Sequence, residues 1–212
     1  MKLYGSGRSR WVRPLWMLRE LGAPHEAVVL DRAAGDLDAP WFRALNPTGK
    51  IPVLVDEHGP IYESGAILLY LGDKYPDRGL VPVAGTYPRG LHDQWMFTIA
   101  TEFEQPLWRL HKQVNKGVGG PEVGLAARAE LDVAAAPFER VLAQRRHLLG
   151  DTFTAADIML AHLLTWEVAQ EPLARLPNLS DYMQRTTARP SFPRDLYQGV
   201  AWIGALNSSQ TR

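Results

Sequence analysis

The chain has 212 residues, of which 46% are hydrophobic and 22% are charged, as in an ordinary globular protein with a substantial core. Lysine and arginine number 23, and so do aspartate and glutamate, so the chain lacks the basic surplus typical of nucleic-acid-binding proteins. Cysteine is absent, which excludes disulfides, thiolate metal ligands and a cysteine nucleophile, so any thiol chemistry requires a ligand that carries the thiol.

The first 80 residues alternate strand and helix signals, with glycine and proline between them. The predicted elements are a strand at 2–5, a helix from about Ser9 to Leu21, a strand at 27–30, a weak helix around 41–45, strands at 51–56 and 60–62, and a helix from Ser64. This order, β-α-β-α-β-β-α, predicts an α/β domain over residues 1–77.

Residues 78–88 hold Gly79, Pro82 and Gly85 and show no sustained period, so they are predicted to form a linker. Beyond it, residues 89–212 show helical periodicity and almost no strand alternation, which predicts an all-α domain. Its predicted helices lie at roughly 89–115, 122–145, 154–169 and 178–189, with a shorter one near the end. Thr154 and Asp157 are spaced as a capping box, which points to a role in folding.

A strand that is predicted to be buried follows the segment Asn46-Pro47-Thr48-Gly49-Lys50-Ile51-Pro52. Pro52 cannot donate a ladder hydrogen bond, so it belongs at the edge or the start of that strand. A cis peptide bond between Ile51 and Pro52 would expose the Ile51 backbone groups for pairing with a peptide ligand. An ordinary trans proline at a strand edge is the alternative.

A second motif, Glu63-Ser64, joins the predicted hairpin to the third helix. Ser64 fits an N-cap, beside the free amide groups of the first helical turn, and such a terminus can hold a carboxylate. Glu63 could pair with an ammonium group. The two residues would then hold the amino-acid end of a small molecule, or they form a plain helix cap with an exposed glutamate.

Together, the run at 49–52 and Glu63-Ser64 resemble the glutathione-binding signature of the bacterial-type cytosolic glutathione S-transferases. The order of elements matches that family along essentially the whole chain. The resemblance implies a thioredoxin-like N-terminal domain and a helical C-terminal domain. It also implies that cis-Pro52 and the Ile51 backbone hold the cysteinyl residue of glutathione, that Glu63 and Ser64 hold its γ-glutamyl end, and that Lys50 pairs with its glycyl carboxylate.

Ser9 is the predicted catalytic residue, because a hydroxyl and a helix start coincide there. Glutathione reacts as a thiolate, and lowering a thiol pKa from ~8.5 by about two units requires roughly 2.7 kcal/mol of preferential stabilisation. One hydrogen bond to sulfur and the positive end of a helix are of this order. Ser9 follows Tyr4 by the five positions expected of serine-type relatives, with Tyr4 itself assigned to the core. Ser6 is the alternative.

Arg10 and Trp11 are predicted to line the pocket of a second substrate, a small electrophile. The six histidines show no metal-ligand spacing, so no metal is assigned. No leader or membrane segment is recognised, and a cytoplasmic protein without nucleic-acid or membrane partners is expected. The resemblance further implies a homodimer and possible reduction of peroxides or disulfides. The alternatives are a non-catalytic scaffold or regulator of the same fold and a glutathione-dependent isomerase of the maleylacetoacetate type.

Overall fold

The structure, a computed structural model, describes residues 1–200. These residues form two compact units. The first comprises Met1–Arg78 with the described residues from Ala188 onward, and the second comprises Gly79–Thr187. The domain boundaries drawn from the sequence, with a linker at 78–88, stay a prediction.

The first unit contains a four-stranded sheet in the order β2-β1-β3-β4. The strands are β1 (Lys2–Gly5), β2 (Glu26–Val29), β3 (Val53–Asp56) and β4 (Gly59–Tyr62). β1 pairs parallel with β2 and antiparallel with β3, and β3 pairs antiparallel with β4. The predicted α/β order is confirmed, although β3 begins two residues later than the apolar run, after Pro52.

Helices cover this sheet. They are α1 (Val12–Leu21), α2 (Pro40–Leu45) and α3 (Ser64–Lys74), and α1 packs against α3. Side chains alternate along a strand, so Leu3 and Leu54 point away from their neighbours Tyr4 and Val53. Val53 belongs to a buried core cluster with Leu30 and Phe42, and Tyr4 is partly buried and packs against this cluster, in agreement with its assignment to the core.

Two helix starts differ from the sequence prediction. α1 begins at Val12, because residues 6–11 are taken up by turns. Ser64 is the first helical residue of α3, so its prediction as the N-cap was wrong. Glu63 occupies the cap position, and no side chain bonds to the cap there. The Ser64 hydroxyl is engaged with another helix instead.

The second unit is built mainly of helices. Its helices are α4 (Tyr87–Thr98), α5 (Glu104–Lys116), α6 (Pro121–Leu142), α7 (Ala155–Leu164), α8 (Gln170–Leu173) and α9 (Pro177–Thr187). Every residue of α7 is buried, so α7 forms the centre of this unit.

The long helix predicted at 89–115 is interrupted by a π-helical turn, Ile99–Phe103, between α4 and α5. Pro106 explains the interruption. A proline lacks an amide hydrogen, and its ring clashes with the carbonyl four residues earlier, here that of Glu102. A wider turn at that carbonyl relieves the clash, and π turns are often found near functional sites.

The capping box at the start of α7 is confirmed. The Thr154 amide donates to Oδ2 of Asp157 at 2.8 Å, and the Thr154 hydroxyl donates to the same oxygen at 3.1 Å. The buried carboxylate also accepts from the Leu148 amide at 3.0 Å and the Tyr182 hydroxyl at 2.7 Å. These donors compensate the desolvation of Asp157, which would otherwise destabilise the core.

Candidate functional site

The turn between β1 and α1 depends on close packing of an indole on a glycine. A Cβ at Gly5 would lie 2.2 Å from the ring of Trp11, so only glycine fits there. The Trp11 Nε1–H donates to the carbonyl of Gly7, and the side chain is 2% exposed. Trp11 was predicted to line a substrate pocket; the structure places it in the interior of the first unit instead.

Ser9 lies in this turn, three residues before α1, and its carbonyl accepts from the Val12 amide at 3.0 Å. The Ser9 residue is half-buried, but its Oγ is shielded from solvent and has no hydrogen-bond partner among the described residues. A shielded hydroxyl without an acceptor is unfavourable unless a ligand supplies one. Ser6 and Arg10, the neighbouring candidates, are both half-buried.

The loop before β3 is held by the buried side chain of Asn46. Its Oδ1 accepts from the amide of Thr48 at 3.0 Å, and its Nδ2 donates to the carbonyl of Lys50 at 2.7 Å. The peptide bond between Ile51 and Pro52 is cis. The Lys50 side chain is exposed and Ile51 is half-buried. Asn46 thus fixes the backbone that carries both predicted ligand contacts.

The junction between β4 and α3 has a strained backbone. Glu63 has φ 73°, the only positive φ at a non-glycine residue in the described chain. Such a conformation costs on the order of 1 kcal/mol or more, and it is found preferentially at functional sites. Glu63 is exposed. Its conformation places the chain so that α3 starts directly at Ser64.

Ser64 is 5% exposed and accepts a hydrogen bond from Nη1 of Arg13 at 3.1 Å. Arg13 is on α1 and is only 1% exposed. The bond therefore fixes the hydroxyl at the start of α3 from a second helix. An arginine in the interior face of an amphipathic helix breaks the apolar pattern, and that break was the available sequence signal for Arg13.

The sheet topology brings the Ser9 turn, the loop before β3 and the junction before α3 to the same end of the sheet. Tyr4 of β1 pairs with Val53 of β3, which pairs with Tyr62 of β4. Because β3 runs antiparallel to both neighbours, the end of β1, the start of β3 and the end of β4 coincide. The turn with Ser9, the Ile51-Pro52 bond and the Glu63-Ser64 junction follow or precede these strand ends. The structure therefore brings most of the predicted site residues to one side of the sheet.

The second unit carries an aromatic cluster formed by Trp108, His111 and Trp166. The rings of Trp108 and His111 stack at 5.1 Å, and Trp166 meets Trp108 edge-on at 6.0 Å. The ammonium groups of Lys112 and Lys116 lie 5.9 and 5.8 Å from the Trp108 ring centre. Trp166 was not singled out from the sequence; it lies within the helix predicted at 154–169, but in the structure α7 ends at Leu164 and Trp166 follows it.

Residues 1–200 contain no group of three or more His, Cys, Asp or Glu side chains that could hold a metal ion. Within the same residues, no helix combines the length and apolar character needed to cross a membrane.

Family models match both halves of the chain. The model described as glutathione S-transferase, N-terminal domain, matches residues 11–74, and the model described as glutathione S-transferase, C-terminal domain, matches residues 98–190. The chain is 31% identical over 204 residues to glutathione S-transferase 3 of Zea mays, with 92% of each chain covered. It is 30% identical over 176 residues to the glutathione S-transferase GstA of Escherichia coli O157:H7, covering 82% of this chain and 86% of the relative.

Solved structures agree with these matches. The bacterial glutathione transferase BphK, solved as a ternary complex, has a TM-score of 0.83 and 29% identity, covering 93% of this chain and 98% of that chain. A sphingomonad glutathione S-transferase complexed with glutathione has a TM-score of 0.81 and 29% identity over the full length of both chains.

Proposed function

Because the chain belongs to the glutathione S-transferase family and is a glutathione transferase, we propose that glutathione binds along the sheet edge formed by the ends of β1, β3 and β4. Ser9 then stabilises the thiolate. The observation that carries this proposal is the Ser9 hydroxyl, which is shielded from solvent and has no acceptor among the described residues. A sulfur anion at this place would supply one.

The γ-glutamyl end of glutathione is assigned to the junction before α3. Its ammonium group pairs with the exposed carboxylate of Glu63, and its carboxylate accepts from the Ser64 hydroxyl and the first amide groups of α3. The bond from Arg13 supports this assignment, since it holds the Ser64 oxygen in one orientation.

The remaining parts of glutathione follow the loop before β3. The Ile51 backbone pairs with the cysteinyl residue in an antiparallel arrangement, and Lys50 pairs with the glycyl carboxylate. Asn46 keeps this stretch of backbone in place through its bonds to Thr48 and Lys50.

Catalysis follows from lowering the thiol pKa. The bound thiol loses its proton to solvent, and the Ser9 hydroxyl donates a hydrogen bond to the resulting thiolate. The thiolate attacks an electrophilic atom, a carbon–sulfur bond forms, and the leaving group departs with its electron pair. Because the chain has no cysteine, peroxide or disulfide reduction would consume two glutathione molecules without an enzyme-bound disulfide.

The second substrate is proposed to be a small electrophile, and Arg10 stays a candidate contact. A homodimer and a cytoplasmic location are proposed from the family alone.

Titration calorimetry tests the binding proposal. We expect a dissociation constant for glutathione in the sub-millimolar to millimolar range, and a rise in melting temperature, because a ligand that binds only the folded state stabilises it. Free cysteine, which lacks the γ-glutamyl and glycyl groups, is the control ligand. Absence of heat and of a thermal shift at several millimolar glutathione would reject the assigned site.

A further inference from the structure

The turn between β1 and α1, residues 6–11, carries Ser9 but has few contacts that fix its backbone. Gly7 and Arg8 are exposed, so packing restrains them little. A Cβ at Gly7 would meet no atom within 4 Å. A hydroxyl that stabilises a thiolate must nevertheless be held within about 0.5 Å of its productive position. The turn therefore needs a specific restraint on its backbone.

The indole of Trp11 supplies such a restraint at two points. Its ring packs against Gly5, the last residue of β1, where an added Cβ would lie 2.2 Å from ring atoms. Its Nε1–H donates to the carbonyl of Gly7. Among the described residues, this is the one hydrogen bond to the backbone of residues 6–8. Trp11 itself is 2% exposed, so close packing keeps the donor in one place.

Ser9 lies between two points of the chain that are held in this way. The carbonyl of Gly7, two residues before Ser9, is held by the Trp11 side chain. The carbonyl of Ser9 accepts from the Val12 amide at 3.0 Å. Trp11 also occupies the N-cap position of α1, and its carbonyl accepts from the Leu15 amide at 3.0 Å. One residue thus ties the turn to the end of the strand and to the start of the helix.

We infer that Trp11 is a positioning residue for Ser9, acting through the hydrogen bond from its indole to the Gly7 carbonyl. The inference rests on the proposed role of Ser9 in stabilising the glutathione thiolate. A hydrogen bond weakens steeply as its distance and angle depart from the optimum. Without the restraint on Gly7, the Ser9 hydroxyl points at the sulfur for a smaller fraction of the time. The thiol pKa then rises although Ser9 is still present.

Trp11→Phe tests the inference, because phenylalanine keeps an aromatic ring beside Gly5 but has no N–H donor. Thiolate absorbance against pH should show that the pKa of bound glutathione rises by about half a unit to one unit. The rate at neutral pH with saturating glutathione should fall about three- to tenfold, in proportion to the thiolate fraction. The dissociation constant of glutathione should change less than about twofold, because the γ-glutamyl and glycyl groups are assigned to other segments.

Trp16→Phe is the matched control on the same helix. Trp16 is buried, and its Nε1–H donates to Glu20 at 3.1 Å, so this substitution also removes an indole donor but leaves the turn untouched. It should lower the melting temperature and leave the thiol pKa unchanged. A rise in the thiol pKa comparable to that of Trp11→Phe would assign the effect to general loosening of α1 and overturn the inference.

An isosteric replacement separates the hydrogen bond of Trp11 from its packing. 3-Benzothienylalanine, incorporated at position 11 alone, keeps the shape of the indole and replaces the N–H by sulfur. The fold is therefore retained, and the pKa rise of Trp11→Phe should be reproduced. An unchanged thiol pKa in this variant would overturn the inference, whatever the stability of Trp11→Phe.

The Ser9→Ala background decides whether the effect passes through Ser9. Trp11→Phe should add no further rise in the thiol pKa there, because coupled residues act non-additively. An equal rise in both backgrounds would overturn the inference. A thiol pKa raised in Ser9→Ala but not in the Trp11 variants would reject this inference alone. A wild-type thiol pKa in Ser9→Ala would reject the proposed role of Ser9, and this inference with it.

Discussion

The hydroxyl of Ser9 is shielded from solvent and has no hydrogen-bond partner among the described residues. Its removal therefore leaves no other protein group without a partner. We expect Ser9→Ala to keep the melting temperature and the glutathione affinity close to those of the wild type. The pKa of the bound thiol should rise by roughly one to two units, because one charge-assisted hydrogen bond is lost. The rate at neutral pH should fall roughly tenfold or more. Thiolate absorbance against pH measures the pKa directly.

Ser6→Ala is the matched control within the same turn. It should shift the thiol pKa much less than Ser9→Ala does. A larger shift in Ser6→Ala would exchange the roles of the two serines. No shift in either variant would assign thiolate stabilisation to backbone amides at the start of α1, with Arg10 as the nearby cation.

The bond between Arg13 and Ser64 leads to a second prediction at this scale. Ser64→Ala removes the hydroxyl assigned to the γ-glutamyl carboxylate and should weaken glutathione binding by about 1–2 kcal/mol. Ser64→Thr keeps a hydroxyl and should recover part of this loss. Calorimetry gives the affinities, and thermal unfolding separates binding from stability. Equal affinity of Ser64→Ala and the wild type would place the γ-glutamyl end elsewhere.

At the scale of elements, the segment at 188–197 is tied to α1 by charged groups. Glu20 accepts from Nε and Nη2 of Arg189 at 2.6 and 2.9 Å. Arg19 donates to both oxygens of Asp195, at 2.7 and 3.1 Å. Phe192 packs edge-on against Trp16, with ring centres 5.0 Å apart. Residues far along the chain thus contact α1 and help to hold it in place.

The ion pairs of Glu20 and Asp195 make the free energy of unfolding depend on pH. Burial opposes ionisation of Glu20, but hydrogen bonds from Arg189 and Ser191 outweigh it and lower the pKa below its ordinary value of 4.5. The hydrogen bonds from Arg19 lower the pKa of Asp195 below 3.8. A lowered pKa in the folded state gives stabilisation that is complete above the unfolded pKa and is lost as pH falls through the folded one.

We therefore expect the free energy of unfolding to fall as pH drops below about 4.5. Glu20→Gln should lower the free energy of unfolding by about 1.5–3 kcal/mol at pH 7, the range for hydrogen bonds to charged groups, and this difference should shrink towards pH 3. Urea unfolding at a series of pH values measures both. Asp181→Asn removes an exposed carboxylate of α9 that has no ion pair among the described residues, and it should leave the curve unchanged. A constant difference between Glu20→Gln and wild type would contradict the role of the ion pair.

At the scale of the whole molecule, the proposed homodimer has a testable contact on α4. Phe97 is 63% exposed and lies on the same helix face as the exposed Tyr87 and Gln94. A large exposed aromatic residue is a typical anchor of an interface. Phe97→Glu should reduce the mass measured by light scattering to that of one chain. Val118→Glu, at an apolar residue that is 51% exposed, is the control and should leave the dimer intact.

Much of the fold could be predicted from local patterns. The four strands and most helices were found because apolar periodicity and the glycine and proline residues between elements are properties of short segments. Gly22 ends α1 in the left-handed conformation, and Thr154 and Asp157 start α7, as their residue types indicate. The π-helical turn was missed because the apolar period continues across it. The only sequence feature that indicates the turn is Pro106, whose ring would clash with the carbonyl of Glu102 in a regular α-helix.

For the candidate site, too, some features could be predicted from the sequence and others could not. The sequence by itself determined the chemical groups, namely the run at 49–52, the Glu63-Ser64 pair and a serine before α1, because these motifs are contiguous. Only the tertiary structure decided how they are held. Burial of Trp11 follows from its contact with Gly5, and the partner of Ser64 is Arg13, fifty-one residues away on another helix. Burial and long-range hydrogen bonds depend on which elements pack together, and no short segment contains that information.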